Sequence, residues 1–335
     1  MEWTSKQELR LSELYDKFGN NYAKIVEEMS SEFQKKFTYN SVRNKIRRSS
    51  IIEYIPDKRG EGLFEGFDND EVFNSYVEAK RDIFDILTMY DEQYKEKDEV
   101  EVFVISDLHV PLTNLDALEK AILENQSADV CIIGGDFLDY KSISSYGNKR
   151  EINVEKEYKK AFDILKIISN IFDTVLMING NHEQRLTRYF EHKVVTALSE
   201  YLDNKHKPLS EISRFFDNVY YVNHWFVQFG PLLVVHPSRY SKINLRSVRN
   251  AVEDRIEKEH RKEFREFSTV LMGHTHRMGK ALFSGVISCE IGCMEKLDIE
   301  FRNKDAKGKK WVNGYAKVTI KNNKIDWNDV HVVRV

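Results

Sequence analysis

Residues 102–109 read VFVISDLH, an apolar run that ends abruptly in an acid and a histidine. The β-branched and aromatic side chains between positions 100 and 105 predict a buried strand. Asp107 and His109 follow this strand two positions apart, so both side chains can converge on one cation. The stretch therefore predicts a strand that carries metal ligands at its carboxyl end.

The same pattern recurs further along the chain. Four more apolar runs, at residues 130–133, 174–178, 232–235 and 269–272, also end in short polar groups. A single polar residue at a strand end usually belongs to a turn, but a series of five does not fit that explanation. Parallel strands of α/β proteins place their binding sites at their carboxyl ends, so we predict one shared site. The four later groups contain Asp136, the pair Asn181 and His182, His236, and the pair His274 and His276.

The donor atoms in these groups favour a metal centre that does chemistry. They are oxygens and imidazole nitrogens with no thiolate, which favours Mn, Fe, Zn or Ni over a structural zinc site. The candidate ligands are too many for one ion with open positions, and they fit two ions that share a carboxylate. We predict two divalent metal ions, with Mn first and Fe, Zn or Ni as alternatives. Such ions can lower the pKa of water to about 7 and neutralise phosphoryl oxygens.

Taken in order, Asp-x-His, Gly-Asp, Gly-Asn-His-Glu, a lone His and Gly-His-x-His resemble the motifs of the calcineurin-like metallophosphoesterase superfamily. The resemblance extends from about residue 99 to the C-terminus and implies a four-layer α/β/β/α sandwich. It also implies that Asp136 bridges the two ions. It implies that His182 faces the substrate, where it stabilises the phosphoryl charge or protonates the leaving oxygen. The remaining ligands that it implies are Asp107, His109 and His276 for one ion, and Asn181, His236 and His274 for the other.

Two arginines follow motif residues closely. Arg185 comes after Gly-Asn-His-Glu, and Arg239 comes after the lone His236. Because a guanidinium group suits bidentate contacts with phosphate, we predict that both arginines bind substrate. Structural salt bridges remain the alternative for each.

Residues 1–52 differ from the rest and predict a small helix-turn-helix domain of three short helices. The first helix begins with a capping box at residues 4–7, and the third carries a basic cluster, with no acid between Phe33 and Ile52. The segment resembles Myb-type and homeodomain-like modules, which implies DNA binding; a solvated basic face or a protein-binding module is the alternative. The predicted DNA contacts are Arg43, Asn44, Lys45, Arg47 and Arg48.

The rest of the chain is assigned from periodicity. Residues 53–98 predict a hinge and a connecting helix that packs on the catalytic domain, which spans residues 99–335. Residues 115–126 and 154–169 predict crossover helices, and residues 187–224 predict a mostly helical insertion. Alternating residues near the C-terminus, at 286–291, 297–301, 315–320 and 330–335, predict strands that complete a second sheet.

Composition limits the environment and the partners. The chain has 51 Lys and Arg against 54 Asp and Glu, a formal net charge of −3, so any nucleic-acid surface has to be local. It has no long uncharged apolar run, and charged residues come early, so we expect a cytoplasmic protein that does not bind membranes. A homo-oligomer is compatible with the sequence.

The leading hypothesis is a phosphodiesterase or nuclease that acts on DNA. Gly-Asn-His-Glu is similar to the corresponding motif of DNA-repair exonucleases, and the compact two-domain arrangement resembles phage or prophage proteins. Two alternatives remain open. One is a phosphomonoesterase that acts on a nucleotide or a phosphoprotein. The other is a DNA-binding regulator or assembly factor in which the phosphoesterase domain serves as a scaffold.

Overall fold

The computed structural model describes residues 4–18, 22–35, 37, 42, 83–140, 154–185, 208–256, 265–298 and 310–335. The chain divides into two compact units, Met1–Asn69 and Asp70–Val335. Across the described ranges, no helix combines the length and the apolar character that are needed to span a bilayer.

The first unit contains the helices α1, Ser5–Phe18, and α2, Tyr22–Glu32. The predicted capping box is present, because the Thr4 and Gln7 side chains each accept a hydrogen bond from the other residue's backbone N–H, at 3.3 and 3.1 Å. The third helix of the predicted module, with Arg43, Asn44, Lys45, Arg47 and Arg48, lies outside the described residues. The small core of this unit consists of Leu11, Leu14, Ile25, Met29, Phe37 and Val42.

The described part of the second unit forms eleven strands. They are β1 Glu99–Ile105, β2 Val130–Ile133, β3 Thr174–Ile178, β4 Val219–Val222, β5 Phe226–Phe229, β6 Leu232–Val235, β7 Thr269–Met272, β8 Met278–Phe283, β9 Val286–Ile291, β10 Gly314–Lys321 and β11 Val330–Arg334. One sheet has the order β11-β10-β1-β2-β3-β4 and the other has the order β5-β6-β7-β9-β8. The neighbours from β1 to β4 are parallel, as are β6, β7 and β9.

The helices of this unit are α3 Ile83–Gln93, α4 Leu115–Glu124, α5 Val154–Ile171, α6 Pro208–Ser213 and α7 Arg246–Asn250, which continues as a π-helix over Ala251–Ile256. Apolar residues of α4 and α5 pack on the face of the first sheet that carries Phe103 and Ile105. The other face, with Val102 and Val104, packs against the second sheet. Helix α7 contacts β7 and β9 of the second sheet. The predicted α/β sandwich is confirmed.

Helix α3 packs on the second sheet. The sequence predicts packing of this segment on the catalytic domain but not on which sheet. Tyr90 and Tyr94 both meet the Phe229 ring edge to face, with ring centroids 4.8 and 5.1 Å apart. Ile86 and Leu87 are buried in the same core. Burial of three large side chains of α3, together with Tyr94 directly after it, anchors the helix to the sandwich.

The five predicted motif strands coincide with β1, β2, β3, β6 and β7. The expected arrangement of the last strands is only partly right: β9, predicted at residues 286–291, belongs to the second sheet. Strands β10 and β11 extend the first sheet next to β1, with Val102 opposite Val318, instead of completing the second sheet. The second sheet is completed by β8 and β9. Alternation identifies a strand but not its neighbours, because pairing across more than 200 residues is a tertiary effect.

The predicted helical insertion is also partly wrong. Its described part, residues 208–224, contains the short helix α6 and then strand β4. Strand β4 consists of valines and tyrosines, which suit strands, and it pairs in parallel with β3, Val175 opposite Val219. The pattern of residues 219–222 is compatible with either a helix or a strand. Pairing with β3 makes the segment a strand.

Candidate metal centre

The loops that follow the motif strands have an unusual backbone. Non-glycine residues rarely adopt positive φ, and each such residue costs about 1–3 kcal/mol. Strain of this kind persists only where the surrounding structure enforces it, and it is concentrated at functional sites. The predicted ligands with positive φ are Asp107 at 55°, His109 at 48°, Asp136 at 50°, His274 at 73° and His276 at 56°.

Hydrogen bonds hold these strained loops in place. The backbone N–H groups of Asp107 and His109 donate to the carbonyls of Gly135 and Asp136, both at 3.0 Å. The Glu183 carboxylate accepts from the backbone N–H groups of Gly180, Asp136 and Leu138, at 2.7, 3.2 and 2.9 Å. Glu183 therefore joins the loop after β2 to the loop after β3. The role of Glu183 was not predicted, although it belongs to the Gly-Asn-His-Glu motif.

Glycine is required where these loops meet. A Cβ atom on Gly135, which has φ of 88°, would lie 2.6 Å from the His236 ring. The loop after β2, in the first sheet, therefore touches the residue that follows β6 in the second sheet. The two sheets bring their motif residues to one common edge.

At this edge the predicted ligands form two groups. Asp107, His109 and His276 form one group, and Asp136, His236 and His274 form another; the donor atoms within each group lie within 4.8 Å of one another. Except for His274, which is partly buried, these side chains are buried. A further group combines Asp136 and His109 with His182. Asp136 therefore lies near donors of both sets.

The second group has donor atoms that no described residue satisfies. Asn181 Oδ1, His236 Nε2 and His274 Nε2 are buried and have no hydrogen-bond partner in the described part of the chain. His236 Nδ1 lies 2.7 Å from the Gly134 carbonyl and donates its proton there, which orients the ring with Nε2 toward the carboxylates of the centre. That Nε2 atom faces Asp136 Oδ2 at 3.1 Å. Unpaired buried donors that face a carboxylate fit a divalent cation.

The first group is arranged differently. His276 Nε2 lies 3.0 Å from Asp107 Oδ1 and 3.2 Å from His109 Nε2. The Asp107 carboxylate also accepts from the His274 backbone N–H at 2.8 Å and from the Ser106 hydroxyl at 2.7 Å. Three donors that converge at these distances fit a second cation, so both groups suit the pair of metal ions.

Charges in the centre perturb one another strongly. Burial raises the pKa of the Asp107 carboxyl, but His276 and His236 outweigh that effect and hold the pKa well below its usual value. Burial lowers the pKa of His236, but the carboxylates of Asp136 and Asp107 raise it to about 9 overall. His274 is less compensated, and burial lowers its pKa to about 4. His274 is therefore neutral, the form that binds metal, whereas the His236 ring holds a proton that a bound cation would displace.

Asp139 is a residue of this site that the sequence analysis missed. Its Oδ1 atom lies 3.1 Å from His109 Nδ1 and 3.0 Å from His182 Nδ1. A carboxylate that accepts the Nδ1 proton of a histidine fixes the ring and directs Nε2 toward a metal. One sequence signal points to it: Asp139 is a second acid, three positions after Asp136 of the Gly-Asp motif.

His182 and Arg185 lie together beside the two groups. Burial lowers the pKa of His182 to about 4, so the ring is neutral. Its Nε2 accepts a hydrogen bond from Arg185 at 2.7 Å, and Arg185 also donates to the Asp139 carbonyl at 2.6 Å. The Arg185 side chain is 27% exposed. The predicted substrate residues His182 and Arg185 therefore contact each other at the metal groups.

Arg239, the other predicted substrate residue, lies on the loop that follows β6 and His236. It is exposed, and it makes no hydrogen bond or ion pair with the described residues. Its role stays a prediction. The same is true of the DNA contacts predicted at residues 43–48, which lie outside the described ranges.

A family model described as calcineurin-like phosphoesterase matches residues 100–278, which is more than half of the chain. The chain belongs to this family. Members of the family typically use two divalent metal ions, in agreement with the two donor groups of this phosphoesterase. The metal-dependent phosphoesterase class and the sandwich fold that the sequence predicts are confirmed.

Solved structures that the chain matches share little sequence with it. A novel archaeal phosphodiesterase is 13% identical, with 70% of this chain and 100% of that chain covered and a TM-score of 0.36. A metallophosphoesterase from Sphaerobacter thermophilus is 16% identical, with coverages of 70% and 88% and a TM-score of 0.36. Vps29 from Chaetomium thermophilum is 11% identical, with coverages of 70% and 97% and a TM-score of 0.35. No curated protein sequence matches this chain significantly.

Proposed function

We propose that this phosphoesterase is a two-metal phosphodiesterase that cleaves DNA. The observation that supports it most directly is the pair of buried donor groups around Asp136, with the Asn181, His236 and His274 donor atoms left without partners. In this proposal Asp107, His109 and His276 hold one ion, Asn181, His236 and His274 hold the other, and Asp136 contacts both. Bound divalent ions, with Mn first, would provide a water nucleophile at neutral pH and neutralise the phosphoryl oxygens.

His182 and Arg185 act on the substrate in this proposal. Because Arg185 donates to His182 Nε2, that atom carries no proton while the contact exists. A phosphoryl oxygen is an alternative acceptor for the Arg185 N–H groups. Binding of the phosphate by Arg185 would free Nε2 to take up a proton from water, which it could then donate to a phosphoryl oxygen or to the leaving oxygen. Asp139 keeps the His182 ring oriented throughout.

The choice of DNA rests on local positive charge. The N-terminal segment carries Arg43, Lys45, Arg47 and Arg48 without intervening acids, although the whole chain has a net charge of −3. Such a cluster, attached to a centre that hydrolyses phosphoesters, would raise the local concentration of a polyanionic substrate. Arg239, exposed three residues after His236, adds positive charge on the loop that follows this predicted ligand.

Hydrolysis of three substrates by the full-length chain with Mn tests this proposal. The substrates are bis-p-nitrophenyl phosphate, p-nitrophenyl phosphate and labelled linear DNA. We expect cleavage of the diester and of DNA, and a loss of both in His182→Ala and Asp136→Asn. In Arg47→Glu/Arg48→Glu the ratio of DNA to diester turnover should fall about tenfold or more at low salt.

A matched charge reversal gives the control. Lys6 and Lys17 are exposed on α1, so Lys6→Glu/Lys17→Glu changes the net charge of the same unit by the same amount. It should leave the ratio of DNA to diester turnover close to that of the wild type. Cleavage of the monoester alone would favour a phosphomonoesterase. A chain that binds no metal and is inactive with every cation would favour a regulator or an assembly factor.

A further inference from the structure

The loop between β6 and α7 exposes an aromatic ring beside the metal centre. This loop, residues 238–245, begins two positions after His236. Tyr240 and Ile243 are 49% and 57% exposed, a large apolar surface for so short a segment. The Tyr240 ring meets the His274 ring edge to face, with the centroids 5.6 Å apart. An exposed ring therefore lies directly next to a residue of the second donor group.

Hydrogen bonds fix the conformation of loop 238–245. The Ser241 backbone N–H donates to the Ser247 hydroxyl at 2.8 Å, and the Ser241 carbonyl accepts from Arg277 at 3.1 Å. The Ser241 hydroxyl accepts from the Ile243 backbone N–H at 3.1 Å. Three contacts at Ser241, the residue after Tyr240, hold the backbone in place. The exposed ring is therefore presented by an ordered backbone, which lowers the entropic penalty of binding.

Two cations accompany this ring. Arg239 and Lys242 are exposed on either side of the Tyr240–Ser241 pair. Neither one makes a hydrogen bond or an ion pair with the residues that the structure describes. An aromatic ring between basic side chains matches the pattern by which proteins bind single-stranded nucleic acid, with bases stacked on rings and phosphates held by cations.

We propose that loop 238–245 binds an unpaired nucleotide next to the scissile phosphate, with its base stacked on Tyr240 and neighbouring phosphates contacted by Arg239 and Lys242. The inference rests on the proposed phosphodiesterase function and specifies its substrate as single-stranded nucleic acid. Inside a duplex both faces of a base are already stacked on its neighbours. Only an unpaired base can offer a face to a ring at this position.

Base-bearing and abasic oligonucleotides of equal length and charge test this inference in the full-length chain with Mn. One substrate is a labelled oligothymidylate, and the other carries tetrahydrofuran residues in place of the nucleosides. Wild-type kcat/KM should be at least about fivefold higher for the base-bearing strand, the effect of one stacked base. Tyr240→Ala should bring the ratio close to one, whereas Tyr240→Phe, which keeps the ring, should preserve it.

The basic residues are tested in the same assay. Arg239→Ala/Lys242→Ala should lower kcat/KM on both strands, and the slope of log kcat/KM against log salt should become shallower by about 1 or more. A blunt duplex of the same sequence should be cleaved more slowly than the single strand. Thermal melting of each variant, compared with that of the wild type, confirms folding.

Three results would overturn the inference: a wild-type ratio near one, a ratio that survives Tyr240→Ala, or faster cleavage of the duplex. The assay also separates this inference from the proposed function. If the wild type fails to hydrolyse bis-p-nitrophenyl phosphate as well as both strands, the proposed phosphodiesterase function is wrong and loop 238–245 has no such role. If the diester is hydrolysed but the ratio is near one, only the inference about the loop is wrong.

Discussion

The two donor groups of the centre are prepared for metal to different degrees. In the first group two of the three side chains are positioned by hydrogen bonds: Asp139 orients His109, and the His274 N–H and Ser106 hydroxyl hold Asp107, whereas His276 Nδ1 is buried without a hydrogen-bond partner among the described residues. In the second group, Asn181, His236 and His274 each keep a buried donor atom without a hydrogen-bond partner among the described residues. The first group should therefore retain its geometry without metal, while the second depends on the ion to satisfy its donors.

Loss of the shared carboxylate should have the largest effect, because it damages both groups. Asp136→Asn keeps the side-chain volume but removes the negative charge near donors of both sets. We expect bis-p-nitrophenyl phosphate turnover to fall by at least about 10³-fold, with a marked loss of bound Mn. Turnover and metal content after equilibrium dialysis measure this effect. Asp163→Asn, on an exposed position of α5, should behave like the wild type.

Removing one histidine from each group should separate the two sites. His109→Ala and His236→Ala should each reduce the bound Mn from two ions to one, with a loss of turnover on the order of 10²-fold or more. Metal content per folded chain is the measurement. His331→Ala, on an exposed position of β11, is the matched control and should keep two ions. Loss of both ions in each variant would mean that the groups are not separate sites.

Asp139→Asn should have a smaller effect that is confined to the first group. The neutral amide oxygen accepts the Nδ1 protons of His109 and His182 more weakly than a carboxylate does, so both rings are held less firmly. Removal of such a partner lowers metal affinity by about 10- to 100-fold. Competition with a fluorescent chelator should show one weakened site and one unchanged site. Equal weakening of both sites would contradict the view that Asp139 positions the ligands of the first group only.

Thermal stabilisation by Mn should show the smallest effect. Free Mn at about 100 times the dissociation constant stabilises the folded chain by about 2.7 kcal/mol per site, which raises the melting temperature by a few degrees. His236→Ala should lose about half of this rise. His109→Ala leaves the second group intact, and metal binding there satisfies buried polar donors. This variant should therefore keep at least as much of the rise in melting temperature as His236→Ala does. Differential scanning calorimetry with and without Mn measures both.

The sequence predicts the local parts of this site well. Each motif combines a short apolar run with polar residues directly behind it, and that pattern needs only a few adjacent positions to be recognised. The strands β1, β2, β3, β6 and β7 and the helices α4 and α5 occur where they are predicted. The family match over residues 100–278 confirms the same region.

The missed features depend on contacts between distant segments. Asp139 is one acid among many in the sequence, and only the fold brings it between His109 and His182. Strand β10 pairs with β1 across more than 200 residues, and the short strand β4 forms because β3 offers it a partner. Nothing in the sequence distinguishes Tyr240 from the other tyrosines. Only the fold brings its ring next to His274.

Crystals grown with Mn give the most direct test of the central claim, that the buried groups around Asp136 form a two-metal centre. Anomalous diffraction at the Mn edge locates the ions without assumptions about activity. We expect two peaks about 3.5–4 Å apart, one beside Asp107, His109 and His276, the other beside Asn181, His236 and His274, with the Asp136 carboxylate between them. A single peak, or a pair of peaks away from Asp136, would contradict the account.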